Sequence, residues 1–600
     1  MSDHIKDIWS KISGNNRVRL SSSSHSSNQE QSEQFLSNNI ETADESLILP
    51  NSNEGYTTKT EIFGWCLYSW AAEPFIVSAV STYVPLLLEQ FARENGVRLD
   101  NHLIPCLSSS PIVPPILPPP GNGTSPGLGD PVSKLFTRDH DGSSGATTTE
   151  EQVKCVVYVL GGYIDTSSFA LYTFSFSVFI QTLVVISMSG AADRGHYRKQ
   201  LLITFGFVGA LATISYIYIT SSRYYIASFL AIVANSCFGA VNVCGNSFLP
   251  ILVANHKDVE QFETNEADND HPPNDTISAN KDDTLVKGNL ITKISGMGAA
   301  SGYISALIVQ ILSMFIVIKT GSKTKSIQYA IFFVGIWWLF FQIPLIFLLK
   351  SRPGPQLIIN KDQNILIQYI KYGWKTLFIS IKHASQLKDV AIYLLGWFIV
   401  SDSVTTMNSA AILFARSELQ MSTPKLVIVG ILSVIFAIGG SIIVPQLQSR
   451  FQVTPKISLI YIIIWASLIP LYGIMGFYFK LIGLKHDFEM YLLAIWYGFA
   501  LGGLATISRS LFSLLIPKGK ESTFFSLFSV TDKGSSIIGP TITALITDRT
   551  HNIRYTFYFL FLLLVLAIPV YSLLDVERGK NEARTLEHVD DEGLSGLSQE

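Results

Sequence analysis

The sequence predicts an all-helical membrane protein whose twelve transmembrane helices form two six-helix repeats. Three observations predict it. The 600 residues are 48% hydrophobic and only 15% charged, against about 25% charged in soluble proteins, and the mean hydropathy is +0.33. Apolar stretches recur that can cross a bilayer core of about 30 Å, which takes about 20 helical residues. Short motifs of the first half return in the second half, in the same order. The net charge of −3 speaks against nucleic acid as a partner.

Residues 1–60 are polar and rich in Ser and Asn (SSSSHSSNQEQSEQ), without the apolar run of a signal peptide, and read as a disordered tail. The apolar stretches lie near 62–90, 166–190, 200–220, 224–254, 290–318, 328–349, 389–415, 425–447, 456–479, 490–516, 522–547 and 553–575. Those at 389–415 and 522–547 are the weakest, because they contain charges. An even number of spans puts both termini on one side. Basic residues gather on that side: Arg194, Arg198 and Lys199, then seven Lys or Arg from Lys350 to Lys388, then Arg450, Lys456, Lys518 and Lys520. Positive charge marks the cytosolic side, so both termini are expected there. The expected organisation is a first bundle at 61–349, a linker at 350–388, a second bundle at 389–577 and a cytosolic tail at 578–600.

Three segments interrupt this pattern. Residues 91–165 face the lumen or exterior and contain PIVPPILPPPG, which cannot be helical and reads as extended polyproline. Cys106 and Cys155 both fall in this loop, where a disulfide can form. Asn122 opens an N-G-T glycosylation sequon there. Asn274 opens N-D-T in the acidic loop 255–289, which is expected in the cytosol and out of reach of glycosylation. In 350–388, Leu366, Ile370, Trp374, Leu377 and Ile381 recur at helical spacing with Lys371, Lys375 and Lys382 between them. That pattern predicts an amphipathic helix lying on the cytosolic leaflet.

The repeat is carried by three matches. GWCLYS at 64–69 returns as GWFIVS at 396–401, NSFLPIL at 246–252 resembles RSLFSLL at 509–515, and SGYISALI at 301–308 resembles GPTITALI at 539–546. The spacing shrinks along the chain, as the longer loops of the first half require. Parallel six-helix repeats resemble the plan of the major facilitator superfamily, with its substrate site between the halves near mid-membrane. The loop GAADRGHYRK, 190–199, resembles that superfamily's loop signature. It suggests a gate in which Asp193 pairs with Arg194 and Arg198 across the cytosolic mouth; the plainer reading is an ordinary basic loop. The second-half counterpart, PQLQSRFQVTPK, keeps little beyond Arg450.

The first span and its continuation, GWCLYSWAAEPFIVSAVSTYVPLLLEQFARENGV, closely resemble the autophagy-related protein 22 family, as do GAADRGHYRK and GNSFLPIL. The resemblance runs across the whole chain. It implies a fungal twelve-span protein of the vacuolar membrane that exports leucine and other neutral amino acids to the cytosol after autophagic breakdown. A non-transporting sensor or scaffold on the same membrane is the alternative. No HExxH, GxSxG or P-loop appears, so no enzyme, cofactor or metal site is expected.

Ionisable residues inside spans mark function by default; here they are Glu73, Asp402, Arg509, Asp532 and Lys533. Aligning the two GW motifs puts Asp402 opposite Trp70, with Glu73 one turn beyond, so each half carries an acid at nearly the same place. Asn246 aligns with Arg509. Asp532 and Lys533 are adjacent, so separate partners are expected. Pro74 removes a helix hydrogen bond and frees a carbonyl near Glu73. For a zwitterionic amino acid, Glu73 or Asp402 would meet the ammonium or carry a proton, and Arg509 or Lys533 would meet the carboxylate. The apolar side chain would lie against Tyr68 and Trp70. The competing reading is an ion-pair network that only locks helices together.

Overall fold

A computed structural model of the chain describes residues 55–99, 102–106, 155–159, 161–259, 261, 276–321, 324–357, 364–382, 387–421, 423–479, 482–535, 538–550 and 552–585. Asn122, Asn274, the proline-rich run and nearly all of the N-terminal tail lie outside them.

The described chain is almost entirely helical, and eleven of its helical segments are long and apolar enough to cross a membrane. The first runs from Lys59 to Glu94 in three pieces: α1 (Lys59–Pro74), a π-helical stretch (Phe75–Tyr83) and α2 (Val84–Glu94). Next come α3 (Thr166–Asp193), α4 (Tyr197–Ile214), α5 (Tyr224–Ala254), α6 (Thr276–Lys319) and α7 (Thr324–Leu348). The linker carries α8 (Ile365–Lys382). The second half holds α9 (Lys388–Ser417), α10 (Thr423–Arg450), α11 (Pro455–Met475), α12 (Asp487–Ser513), α13 (Glu521–Ser535), α14 (Ile538–Thr550) and α15 (Thr556–Leu573). The expected span at 522–547 is described as α13 and α14, which lie on either side of residues 536–537, outside the described residues.

The π-helical stretch begins directly after Pro74. Pro74 cannot donate to the carbonyl of Trp70, four residues back. That carbonyl instead accepts from Trp337 Nε1 on α7 at 3.0 Å. The carbonyl freed by Pro74 is thus already taken within the first half.

Three connecting segments hold more structure than the sequence reading gave them. Residues 276–289 are not loop but the beginning of α6, which is 44 residues long; TISANKDDTLVKGN holds no proline to stop a helix. The loop at 91–165 carries a small antiparallel sheet, β1 (Val97–Arg98), β2 (Cys155–Val159) and β3 (Gly162–Asp165), in that order. β2 is rich in Val, and the adjacent Val156 and Val157, which point to opposite faces, are both buried. Cys106 and Cys155 are joined as a disulfide, with Cα atoms 5.8 Å apart. Beyond α15, residues 576–585 are helical rather than a free tail. Arg578 binds Asp389, at the start of α9, through Nε at 2.7 Å and Nη2 at 2.9 Å.

The two halves meet along α6, which packs on α10 and α12, and along α13, which packs on α3 and α5. α8 packs on α3. Gly190 and Gly373 bring their backbones so close that a methyl on Gly190 would stand 2.6 Å from Gly373 N. Trp374 Nε1 donates to Ser187 Oγ at 3.0 Å.

Candidate functional site: a polar cleft between the halves

Arg509, on α12 of the second half, points into the first half. Its Nη1 lies 3.3 Å from both Tyr68 Oη and Asn246 Oδ1, and its Nη2 donates to the carbonyl of Ser295 at 3.1 Å. Its Nε donates back to the carbonyl of Ala505. Tyr68 Oη donates to Asn246 Oδ1 at 2.7 Å, and Asn246 Nδ2 donates to Asn242 at 2.6 Å. One guanidinium thus joins α1, α5 and α6 to α12, and every oxygen it binds is neutral. Tyr68 can take this position because Gly245 has no side chain: a methyl there would stand 2.6 Å from the Tyr68 ring.

Glu73 lies just over one turn beyond Tyr68. It packs its Cβ and Cγ against Gly302 of α6. It is half-buried, and its carboxyl is within the electrostatic reach of Arg509 and, more weakly, of Lys533. Tyr303 shares this environment with Glu73, Arg509, Tyr497 and Asp532. The pairing of α6 glycines with span one follows the small-residue packing rule; Gly298 faces Trp65 in the same way.

The remaining predicted residues sort differently. Trp70 does not join Tyr68. Two residues apart on a helix, they point to different faces, and Trp70 packs against Trp337 and, edge to face, Phe341 of α7, with ring centroids 5.8 Å apart in each pair. Asp532 accepts from Ser401 Oγ at 2.7 Å and Trp397 Nε1 at 3.2 Å. Lys533 Nζ stands 3.5 Å from Asp532 Oδ2. The two adjacent residues therefore pair with each other, contrary to the expectation of separate partners, because the long lysine chain turns back at the end of α13. Asp402 is 4% exposed and accepts from the backbone N–H of Gly539, at the start of α14, at 2.8 Å.

At the end of the bundle that carries the α3–α4 loop, Asp193 reaches across the halves. Its Oδ1 accepts from Ser522 N at 2.6 Å, and its Oδ2 accepts from Thr523 N at 2.8 Å and Thr523 Oγ1 at 2.6 Å. These are free first-turn donors of α13, where a helix dipole favours negative charge. Arg198 pairs with Glu521 at 2.8 Å and stands 3.5 Å from Asp193. Arg194 does not pair with Asp193. It donates to Tyr372 Oη of α8 at 2.8 Å. Sequence reasoning missed Glu521, Ser295, Tyr303 and the buried pair Glu61–Arg352, whose closest approach is 2.9 Å. Arg352 counts only among the basic residues of the linker in the sequence, and a backbone carbonyl such as that of Ser295 leaves no mark on a sequence.

A two-halved helical bundle with a charged polar cluster between its halves is the fold of solved major-facilitator transporters. Two solved transporters share the fold at low identity. The proton:xylose symporter XylE, bound to 6-bromo-6-deoxy-D-glucose, is 12% identical with a TM-score of 0.53, covering 88% of this chain and 99% of its own. FucP in the outward conformation is 12% identical with a TM-score of 0.51, covering 86% and 98%. The profile of the family described as "Vacuole effluxer Atg22 like" matches residues 57–584. Autophagy-related protein 22 of Pichia angusta is 50% identical over 575 residues, 91% of this chain and 97% of the relative. That of Saccharomyces cerevisiae is 46% identical over 553 residues, 88% and 94%. The chain belongs to the Atg22 family of multi-pass membrane transporters.

Proposed function

We propose that the chain exports neutral amino acids from the vacuole lumen to the cytosol by alternating access, coupled to protons, with both termini in the cytosol. The observation that carries this is Arg509: a guanidinium between the halves whose bonds all go to neutral oxygens, with the titratable Glu73 in its electrostatic reach. A guanidinium fork suits a carboxylate, and the substrate carboxylate displaces its bonds to Tyr68 and Asn246. Glu73 receives the ammonium or carries the proton. Tyr68, Tyr303 and Tyr497 bound the side-chain space. The family's description as a vacuole effluxer supports the direction and the membrane.

Asp193, Arg198 and Glu521 form the cytosolic gate. Because Asp193 holds the N-terminus of α13, opening that end must break its three hydrogen bonds and the Arg198–Glu521 pair. The experiment is uptake of labelled leucine into proteoliposomes holding the purified chain, with and without a pH gradient. Saturable uptake that unlabelled neutral amino acids compete away, and that a pH gradient accelerates, is the expected result; no uptake above empty liposomes overturns the transport reading. Orientation is read from gel mobility after deglycosylation: Asn122→Gln removes the shift and Asn274→Gln does not.

A further inference from the structure

The linker helix α8 touches both sides of the gate and leaves one face uncovered. It packs on α3 and also reaches α13, the two helices that Asp193 joins. Its inner face is fixed to the end of α3. Tyr369, Gly373, Thr376 and Leu377 are buried. Trp374 Nε1 donates to Ser187 Oγ at 3.0 Å. Tyr372 Oη accepts from Nε of Arg194, the neighbour of Asp193, at 2.8 Å.

The outer face mixes apolar and basic groups. Ile367, Lys371, Lys375 and Phe378 recur at helical spacing and form one stripe. Ile367 is 48% and Phe378 61% exposed, and both lysines are exposed. The half-buried Trp374 sets its ring 6.1 Å from that of Phe378. No acid occurs in Ile365–Lys382, and among the described residues no carboxylate pairs with Lys371 or Lys375. An aqueous face gains nothing from exposed Ile and Phe, and a face among acyl chains does not tolerate two ammonium groups. Both suit the headgroup level of a bilayer, where rings and aliphatic stems enter the acyl boundary and the charges meet phosphates.

We propose that this face of α8 binds anionic phospholipid of the leaflet at the gate end, and that the bound lipid holds the gate closed. At the usual attraction of a lysine near an anionic surface, the two together favour an anionic over a zwitterionic leaflet about thirtyfold. A ligand shifts an equilibrium only by binding one state better. The docked helix, supported by α3 and α13 at once, presents the whole stripe outward, so it is the state that lipid favours. Parting α3 from α13 removes one support. The lipid site does not depend on which solute is carried; its effect on opening rests on the Asp193 gate proposed above.

The test places the purified full-length chain in nanodiscs of phosphatidylcholine alone or mixed with phosphatidylserine. Opening is read by thiol labelling of a cysteine introduced in the cleft, and lipid binding by the phosphatidylserine retained on the chain in native mass spectra. The expected result is retained phosphatidylserine and labelling about tenfold slower than in phosphatidylcholine, a difference that added salt reduces. Replacing both lysines, Lys371→Gln with Lys375→Gln, abolishes retention and the difference; Lys371→Arg with Lys375→Arg preserves both. Equal labelling in the two bilayers overturns the proposal, and so does a difference that survives the glutamine pair. Asp193→Asn separates the two readings. If it labels like the unmodified chain while phosphatidylserine still slows labelling through the lysines, the gate assignment fails and the lipid site stands.

Discussion

Glu73 and Asp402 occupy almost the same place in the first helix of each half, yet their surroundings differ in kind. Glu73 packs against a glycine of α6 and faces Arg509 across the cleft. Asp402 is closed in, 4% exposed, and hydrogen-bonded to the N–H of Gly539 on α14. A repeat preserves position, and the neighbouring helix decides use. In the first half the fifth span offers α6 as one unbroken helix, so the acid is left facing the cleft. In the second half α14 offers the N–H of Gly539, and the acid accepts from it. Asp193 likewise accepts from backbone N–H groups, those of the first turn of α13.

The comparison can be broken at Arg509. Arg509→Ala removes the charge facing Glu73 and leaves Asp402 untouched. Loss of a buried, hydrogen-bonded charge costs about 2–5 kcal/mol, so leucine uptake is expected to fall about thirtyfold or more while the protein still folds. Arg509→Lys, which keeps charge but loses the fork, recovers little. If Arg509→Ala transports normally, the cleft is structural.

Asp193→Asn tests whether an acid on a helix N-terminus acts as a latch. Hydrogen bonds to charged groups are worth about 1.5–3 kcal/mol. The population open at that end is therefore expected to rise roughly tenfold, read by thiol labelling of a cysteine placed in the cleft. Unchanged labelling, with unchanged transport, removes the gating claim.

Two glycine substitutions sharpen the contrast. Gly539→Ala drives a methyl into the side-chain oxygens of Thr406 and Asp402, both of them short, buried side chains. Overpacking of this kind costs about 1–3 kcal/mol, seen as a lower melting temperature. Gly302→Ala places its methyl 3.1 Å from Glu73 Cγ, a side chain free to shift by a few tenths of an ångström. Its expected cost is below about 1 kcal/mol. Equal losses in the two variants would mean that the acids are equally confined.

Much of this was legible in the sequence. Hydropathy marks the spans because a bilayer core demands whole turns of apolar helix, and costly charges stand out against that background, which is how Glu73, Asp402 and Arg509 were found. The motif match of Asn246 to Arg509 ended in a direct contact between them. The failures are equally physical. Trp70 was grouped with Tyr68 by closeness in sequence, although helix geometry turns it toward α7. Arg194 was paired with the nearest acid in sequence, but its partner is Tyr372, which only folding of the linker brings near.

The most direct test sets Glu73→Gln beside the unmodified chain in proteoliposomes. The substitution keeps shape and removes titration. Accumulation of labelled leucine driven by a pH gradient is expected to be lost, while exchange of leucine for leucine survives because Arg509, Tyr68 and Asn246 remain. Accumulation with an undiminished response to the pH gradient would contradict the account and leave Glu73 a structural residue.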